Sequence, residues 1–127
     1  MSPNKHVILS ALRTLSCVLN GHLSNQQLFA LANGLHALMQ VEESWRGVCS
    51  VQAAKVLSNI LNNAMMVADF LYRRGLGRIE RLLAGKRDDI SGYLLGHVMN
   101  CAMYSNEKIV LSQTLVFSSF SARCSFL

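Results

Sequence analysis

Apolar residues return along this chain at helical spacing and almost nowhere at the alternation of a strand. Val7, Ile8, Ala11, Leu12, Leu15, Val18 and Leu19 follow a 3.6-residue period. Ser2 and Pro3 precede them as an N-cap and a first helical residue, and Gly21 stands where such a helix stops. Ser24-Asn25-Gln26-Gln27 reads as a capping box, with Leu23 placed to staple against Leu28. Leu28, Leu31, Ala32, Leu35, Leu38 and Met39 then form one face of a second helix. The short turn between the two predicts an antiparallel hairpin.

Residues 42–49 read as a connector or a short turn of helix, after which Ser50 caps the longest predicted helix, over 51–74. Its stripe is Val51, Ala54, Val56, Leu57, Ile60, Leu61, Ala64, Met65, Ala68 and Leu71. Asn59, Asn62 and Asn63 are poor helix formers and predict a bend or a polar notch in its middle. Gly75 ends it. A short basic helix over Leu76–Ala84 runs to Gly85, and Asp88 or Asp89 caps another over 90–105, built on Ile90, Tyr93, Leu94, His97, Val98 and Cys101. Asn106 caps the last, through Ile109, Val110, Leu115, Val116 and Phe117, and 109–117 is the one stretch where strand alternation competes. The expectation is an all-α single domain, residues 1–117, of five or six helices packed as antiparallel hairpins. The serine-rich stretch 118–127 reads as a weakly ordered tail.

Composition adds a constraint on the surface. The 127 residues are the size of one domain and suffice to bury about two thirds of the unfolded surface. Hydrophobic residues make up 51% and charged residues 15%, against about 25% charged in an average domain. Mean hydropathy is +0.28. So little charge implies an apolar face buried against another protein or a second copy, or a membrane contact. The longest charge-free stretch, Thr14 to Val41, is broken near Gly21 and carries Ser24, Asn25, Gln26, Gln27 and Asn33. A spanning helix needs about 20 mainly apolar residues in a row, so a protein partner is expected rather than a membrane.

The long helix sharpens that expectation. Met66, Val67 and Phe70 lie away from its main stripe, which makes it apolar nearly all round; such a helix is either central or carries a second binding face. Met65, Met66, Phe70 and Tyr72, with Trp45 in the preceding connector, are the candidate lining of a partner groove. Trp45 is either a lid on the core or an exposed anchor.

The net charge of +5 has one address. Arg73, Arg74, Arg78, Arg81, Lys86 and Arg87 face a single acid, Glu80, within 73–87, while the rest of the chain sums to zero. Arg78 and Arg81 share a helix face opposite Ile79, Leu82 and Leu83. Clustered basic side chains suit nucleic acid or simply solvate a charge-poor chain.

No arrangement for catalysis or a cofactor emerges. His97 and Cys101 stand four apart, as two zinc ligands on one helix could, but lack the second closely spaced pair of a closed site. Cys17, Cys49, Cys101 and Cys124 are widely spaced in apolar stretches and read as core residues in a reducing compartment, which points to the cytoplasm. Arg13 interrupts the only leader-like apolar run. Gly75-Leu76-Gly77-Arg78 lacks the spacing of a phosphate loop. The expectation is a protein without enzymatic activity or cofactor.

Asn25 to Met39, followed by Gln52-Ala53-Ala54-Lys55-Val56-Leu57-Ser58 and the helix after it, resembles the small tetratricopeptide-like chaperones of type III secretion. That likeness covers about a third of the chain and implies a concave apolar groove that holds a needle subunit's helix. No 34-residue repeat with the tetratricopeptide pattern runs through the chain. The reading is a helical protein–protein interaction module, a secretion chaperone or complex subunit, with a nucleic-acid-binding regulator using 73–87 as the alternative.

Overall fold

A computed structural model of the chain describes residues 4–105, and these form seven α-helices. They are α1 (Lys5–Leu19), α2 (Leu23–Leu31), α3 (Gly34–Ser44), α4 (Val48–Ile60), α5 (Ala64–Tyr72), α6 (Gly75–Ala84) and α7 (Ser91–Tyr104). The all-α class is as expected, and no strand occurs among the described residues. None of the described helices is long and apolar enough to cross a membrane. The helix expected from Asn106, the alternation over 109–117 and the tail 118–127 lie outside the described residues, as do Ser2 and Pro3.

Seven helices form rather than five or six because two expected helices are each broken. The second breaks at Asn33, whose φ of 64° is left-handed, and Gly34 opens α3. The third breaks after Ile60: the Asn63 side chain accepts the Met66 N–H at 3.0 Å and caps α5. Gly75 begins α6 instead of ending a helix, because the turn falls on Arg74 at φ 60°. α3 also takes residues 42–44 from the expected connector.

Four expected caps are replaced. α1 is capped by Asn4, which accepts from the His6 N–H at 2.7 Å. The capping box does not form, since α2 already starts at Leu23. Instead Asn25 donates to the Val18 carbonyl at 2.8 Å and buried Gln26 to the Leu19 carbonyl at 2.9 Å. These amides satisfy carbonyls that the end of α1 leaves open. Ser50 lies inside α4 and donates to the Glu42 carbonyl at 2.7 Å, and Ile90, not an aspartate, precedes α7.

The helices repeat with a 41-residue period. α2 and α5 start 41 residues apart, at Leu23 and Ala64, and end 41 apart, at Leu31 and Tyr72. Asn33 and Arg74 hold the same left-handed turn, and Gly34 and Gly75 the same helix start. A Cβ on Gly34 would meet the Phe29 ring at 2.4 Å, and one on Gly75 the Phe70 ring at 2.2 Å. The motif Phe-x4-Gly-Leu thus closes each unit, with Leu35 and Leu76 fully buried beside it. Leu12, Ala53 and Leu94 are buried at equivalent points of α1, α4 and α7, as are Leu19, Ile60 and Cys101.

The described chain is therefore two three-helix units followed by the first helix of a third. A period of 41 falls among helical solenoid units of about 40–47 residues. First helices stack, α1 on α4 and α4 on α7; α2 stacks on α5. The third helix of each unit packs on the first helix of the next, α3 on α4 and α6 on α7. α4 is consequently central, with neighbours in α1, α3 and α7, whereas Met66, Val67 and Phe70, which made the 51–74 segment apolar nearly all round, lie on α5 and are buried there. One core runs through the stack, from Leu12 to Cys101.

Candidate partner-binding groove

α1, α2 and α3 enclose an apolar groove of about 170 Å³, lined by Ile8, Ala11, Leu12, Leu15, Phe29, Gly34, Ala37, Leu38 and Val41. The helical period of α1 brings Ile8, Ala11, Leu12 and Leu15 to one side. Gly34, Ala37, Leu38 and Val41 line the other from α3, and the Phe29 ring forms one end against Gly34. Not one lining side chain is charged. A second depression continues along α3 over Ala37, Gln40, Val41, Ser44 and Trp45. Trp45 is half-buried there.

The other expected groove residues are placed elsewhere. Met66 and Phe70 are fully buried in the core, Met65 is half-buried against it, and Tyr72 stands 81% exposed at the end of α5. They line no common groove with Trp45, because the 51–74 segment is two separate helices, α4 and α5, and Met66 and Phe70 turn into the core. Leu28, Leu31, Leu95, Met99 and Met103 are further exposed apolar side chains.

The basic segment is largely neutralised within the fold. Glu43 on α3 binds Arg78 at 2.9 Å and Arg81 at 2.7 Å, and Asp69 binds Arg73 at 3.2 Å. Arg87 is 3% exposed. It donates to the carbonyls of Glu43 (2.9 Å) and Trp45 (2.8 Å), to Ser50 Oγ (2.8 Å) and to Asp89. Its guanidinium caps the C-terminal carbonyls of α3. The hydrogen bond from Arg87 holds the Asp89 carboxyl below the ordinary carboxylate range, burial opposes the shift, and the Gly47 N–H adds to it. Arg74 and Lys86 are exposed and have no ion-pair partner among the described residues.

A buried polar chain joins three helices. His97 Nε2 lies 2.7 Å from Glu42 Oε2, and its Nδ1 lies 3.4 Å from Ser58 Oγ. Serine, imidazole and carboxylate in a row is the order of a hydrolytic relay. Here Ser58 sits inside α4, where the following backbone N–H groups belong to the helix and form no oxyanion hole. His97 is fully buried, with Phe70 edge-on at 6.2 Å. Both ring nitrogens are engaged, and burial pushes the Cys101 thiol up to about 12. Cys49 is also buried, whereas Cys17 is exposed on α1, against the expectation of a core residue; Cys124 lies outside the described residues.

No family model, curated protein or solved structure matches this chain. The groove was missed in the sequence because its walls come from two different helices. The return of Phe29-x4-Gly34-Leu35 at Phe70-x4-Gly75-Leu76 is the signal that could have found it.

Proposed function

We propose that this chain is a non-catalytic helical interaction module, a chaperone or complex subunit, that buries a partner's helix in the α1–α2–α3 groove. The observation that supports it most directly is the groove itself: apolar, open, uncharged and flanked by a half-buried tryptophan. Helix-in-groove recognition uses such a surface, with the partner's apolar stripe supplying the contacts. Stacked helical units commonly present extended surfaces of this kind. The pairing of Arg73, Arg78, Arg81 and Arg87 argues for protein rather than nucleic acid as the partner, since it leaves Arg74 and Lys86 to meet phosphates. A cytoplasmic chaperone of a secreted helical subunit is one form of this reading, consistent with the resemblance noted in the sequence.

The test is affinity capture with the full chain from a native lysate, treated with nuclease and washed at high salt. One protein retained in stoichiometric amount supports the reading. Retention of nucleic acid alone, lost as salt rises, transfers the function to the basic segment.

A further inference from the structure

We infer that the groove is the seat of an uncharged, three-turn helical face presented by a partner in the place that α3 takes on the second unit. The inference rests on the interaction-module reading and deepens it by naming the occupant's chemistry.

The repeat supplies the argument. Shifting the groove residues by 41 gives Cys49, Gln52, Ala53, Val56, Phe70, Gly75, Arg78, Ile79 and Leu82. In the second unit, Cys49, Val56, Phe70 and Leu82 are buried, while their counterparts Ile8, Leu15, Phe29 and Val41 are half-exposed. The difference has a visible cause. α1 and α3 both pack on α4: the Cys49 thiol meets the Lys5 carbonyl of α1 at 3.8 Å, the Ser50 hydroxyl donates to the Glu42 carbonyl of α3, and Glu43 of α3 reaches Arg78 and Arg81 on α6, while Phe70 also lies against His97 of α7. The first unit presents the same seat with no helix over it among the described residues.

Differences between the two seats specify what fits. Glu43 meets Arg78 and Arg81 in the second unit, and the equivalents of these in the first are Ala37 and Gln40. Glu42 meets Ser50 and His97, whose equivalents 41 residues earlier are Leu9 and Val56. The partners that the Glu42 and Glu43 carboxylates find in the second unit are therefore absent from the equivalent positions of the first, and a buried unpaired charge is costly. The occupant carries apolar residues at i, i+4 and i+7, as α3 carries Leu35 and Met39, with an apolar residue also where α3 has Glu42. α6 already has Leu83 at that register. Its length is that of α3, 11 residues.

The probe is a blocked 15-residue amphipathic peptide with leucine at those positions and its charges confined to the opposite face. It is titrated into the full chain with Trp45, the only tryptophan, as fluorescence reporter. The expected result is a saturable shift with an affinity that changes by less than about twofold between low and high salt. Ala11→Arg and Ala37→Arg, both at exposed helical positions, weaken it by about tenfold or more, since the arginine must be desolvated against the apolar face. Tyr72→Gln, outside the groove, leaves it unchanged. No saturable shift, or equal binding by both arginine variants with unaltered helical circular dichroism, overturns the inference. Self-association of the free chain that both variants abolish would assign the seat to a second copy and overturn it too. A lysate partner that binds the arginine variants as well as the native chain sinks this seat while leaving the module reading intact. Absence of any lysate partner, with the peptide bound as expected, does the reverse.

Discussion

His97 and Glu42 meet at 2.7 Å in the interior, 55 residues apart in sequence, and their contact ties α7, the first helix of the third unit, to α3 of the first. Both side chains are withdrawn from solvent, at 0% and 5% exposure. A buried polar pair is tolerated because each member satisfies the other, and Ser58 takes the remaining ring nitrogen. Removing one partner strands the other. Glu42→Ala is therefore expected to lower stability by about 3–5 kcal/mol in urea unfolding. Replacing both residues by leucine should cost far less than the two single changes together, giving a coupling of about 1 kcal/mol or more in the double-mutant cycle. Additive losses would show that the pair does not act as a unit.

The two helix-start glycines separate two consequences of the same motif. Gly75→Ala drives a methyl against the Phe70 ring, which is fully buried and cannot withdraw, so the variant should lose about 1–3 kcal/mol. Gly34→Ala meets the half-exposed Phe29, which can swing outward into the groove. Its thermal midpoint should fall less than that of Gly75→Ala, and combining Gly75→Ala with Phe70→Leu should recover part of the loss.

Arg87 and Asp89 carry a pH dependence whose sign follows from their contact. The folded Asp89 pKa is depressed below its ordinary 3.8, chiefly by the Arg87 hydrogen bond. Its contribution to stability is thus present above pH 3.8 and is lost as pH falls through the lower folded value. In Arg87→Met the carboxyl should titrate nearer 3.8, which a carbon-detected NMR titration reads directly. The same substitution leaves the Glu43 and Trp45 carbonyls without their donor and should destabilise the fold by about 1–3 kcal/mol.

Thiol reactivity should rank by exposure. In a Cys124→Ser background, a thiol reagent at neutral pH is expected to modify Cys17 first, because it stands open on α1. Cys101, with its pKa pushed up to about 12 by burial, should react at the rate of unfolding. Mass spectrometry of partially labelled protein distinguishes the sites, and early labelling of Cys101 would contradict its placement in the core.

Arg74 and Lys86 sit at φ 60° and 55°, a backbone region that costs a side-chain-bearing residue about 1 kcal/mol. Arg74→Gly and Lys86→Gly should each raise the thermal midpoint by a few degrees. If nucleic acid were the partner, the same changes would also weaken binding and flatten its salt dependence.

Helical class was legible in the sequence because the 3.6-residue return of Leu12, Leu15 and Leu19, or of Leu76, Ile79 and Leu82–Leu83, is a local property of the chain. Several punctuation residues were legible for the same reason: Gly21 and Gly85 stop helices, and the asparagines near position 62 interrupt one. The break near Arg74 was legible too, though placed on Gly75; the break at Asn33 was not, because the left-handed turn there accompanies Phe29 packing on Gly34. Capping was misread where tertiary partners compete. Gln26 points inward to the Leu19 carbonyl instead of completing a capping box, and Ser50 bonds to Glu42 instead of starting a helix.

The candidate site divides in the same way. Sequence by itself determined that this chain is helical and short of charge. Tertiary structure alone decided which apolar residues remain open. Met66 and Phe70 vanish into the core because α4, α5 and α7 close around them, while Ile8, Ala11 and Leu15 stay accessible because no third helix of a preceding unit lies over α1 among the described residues. Spacing along a helix sets which residues share a face, and stacking between units sets which of those faces meets a neighbour.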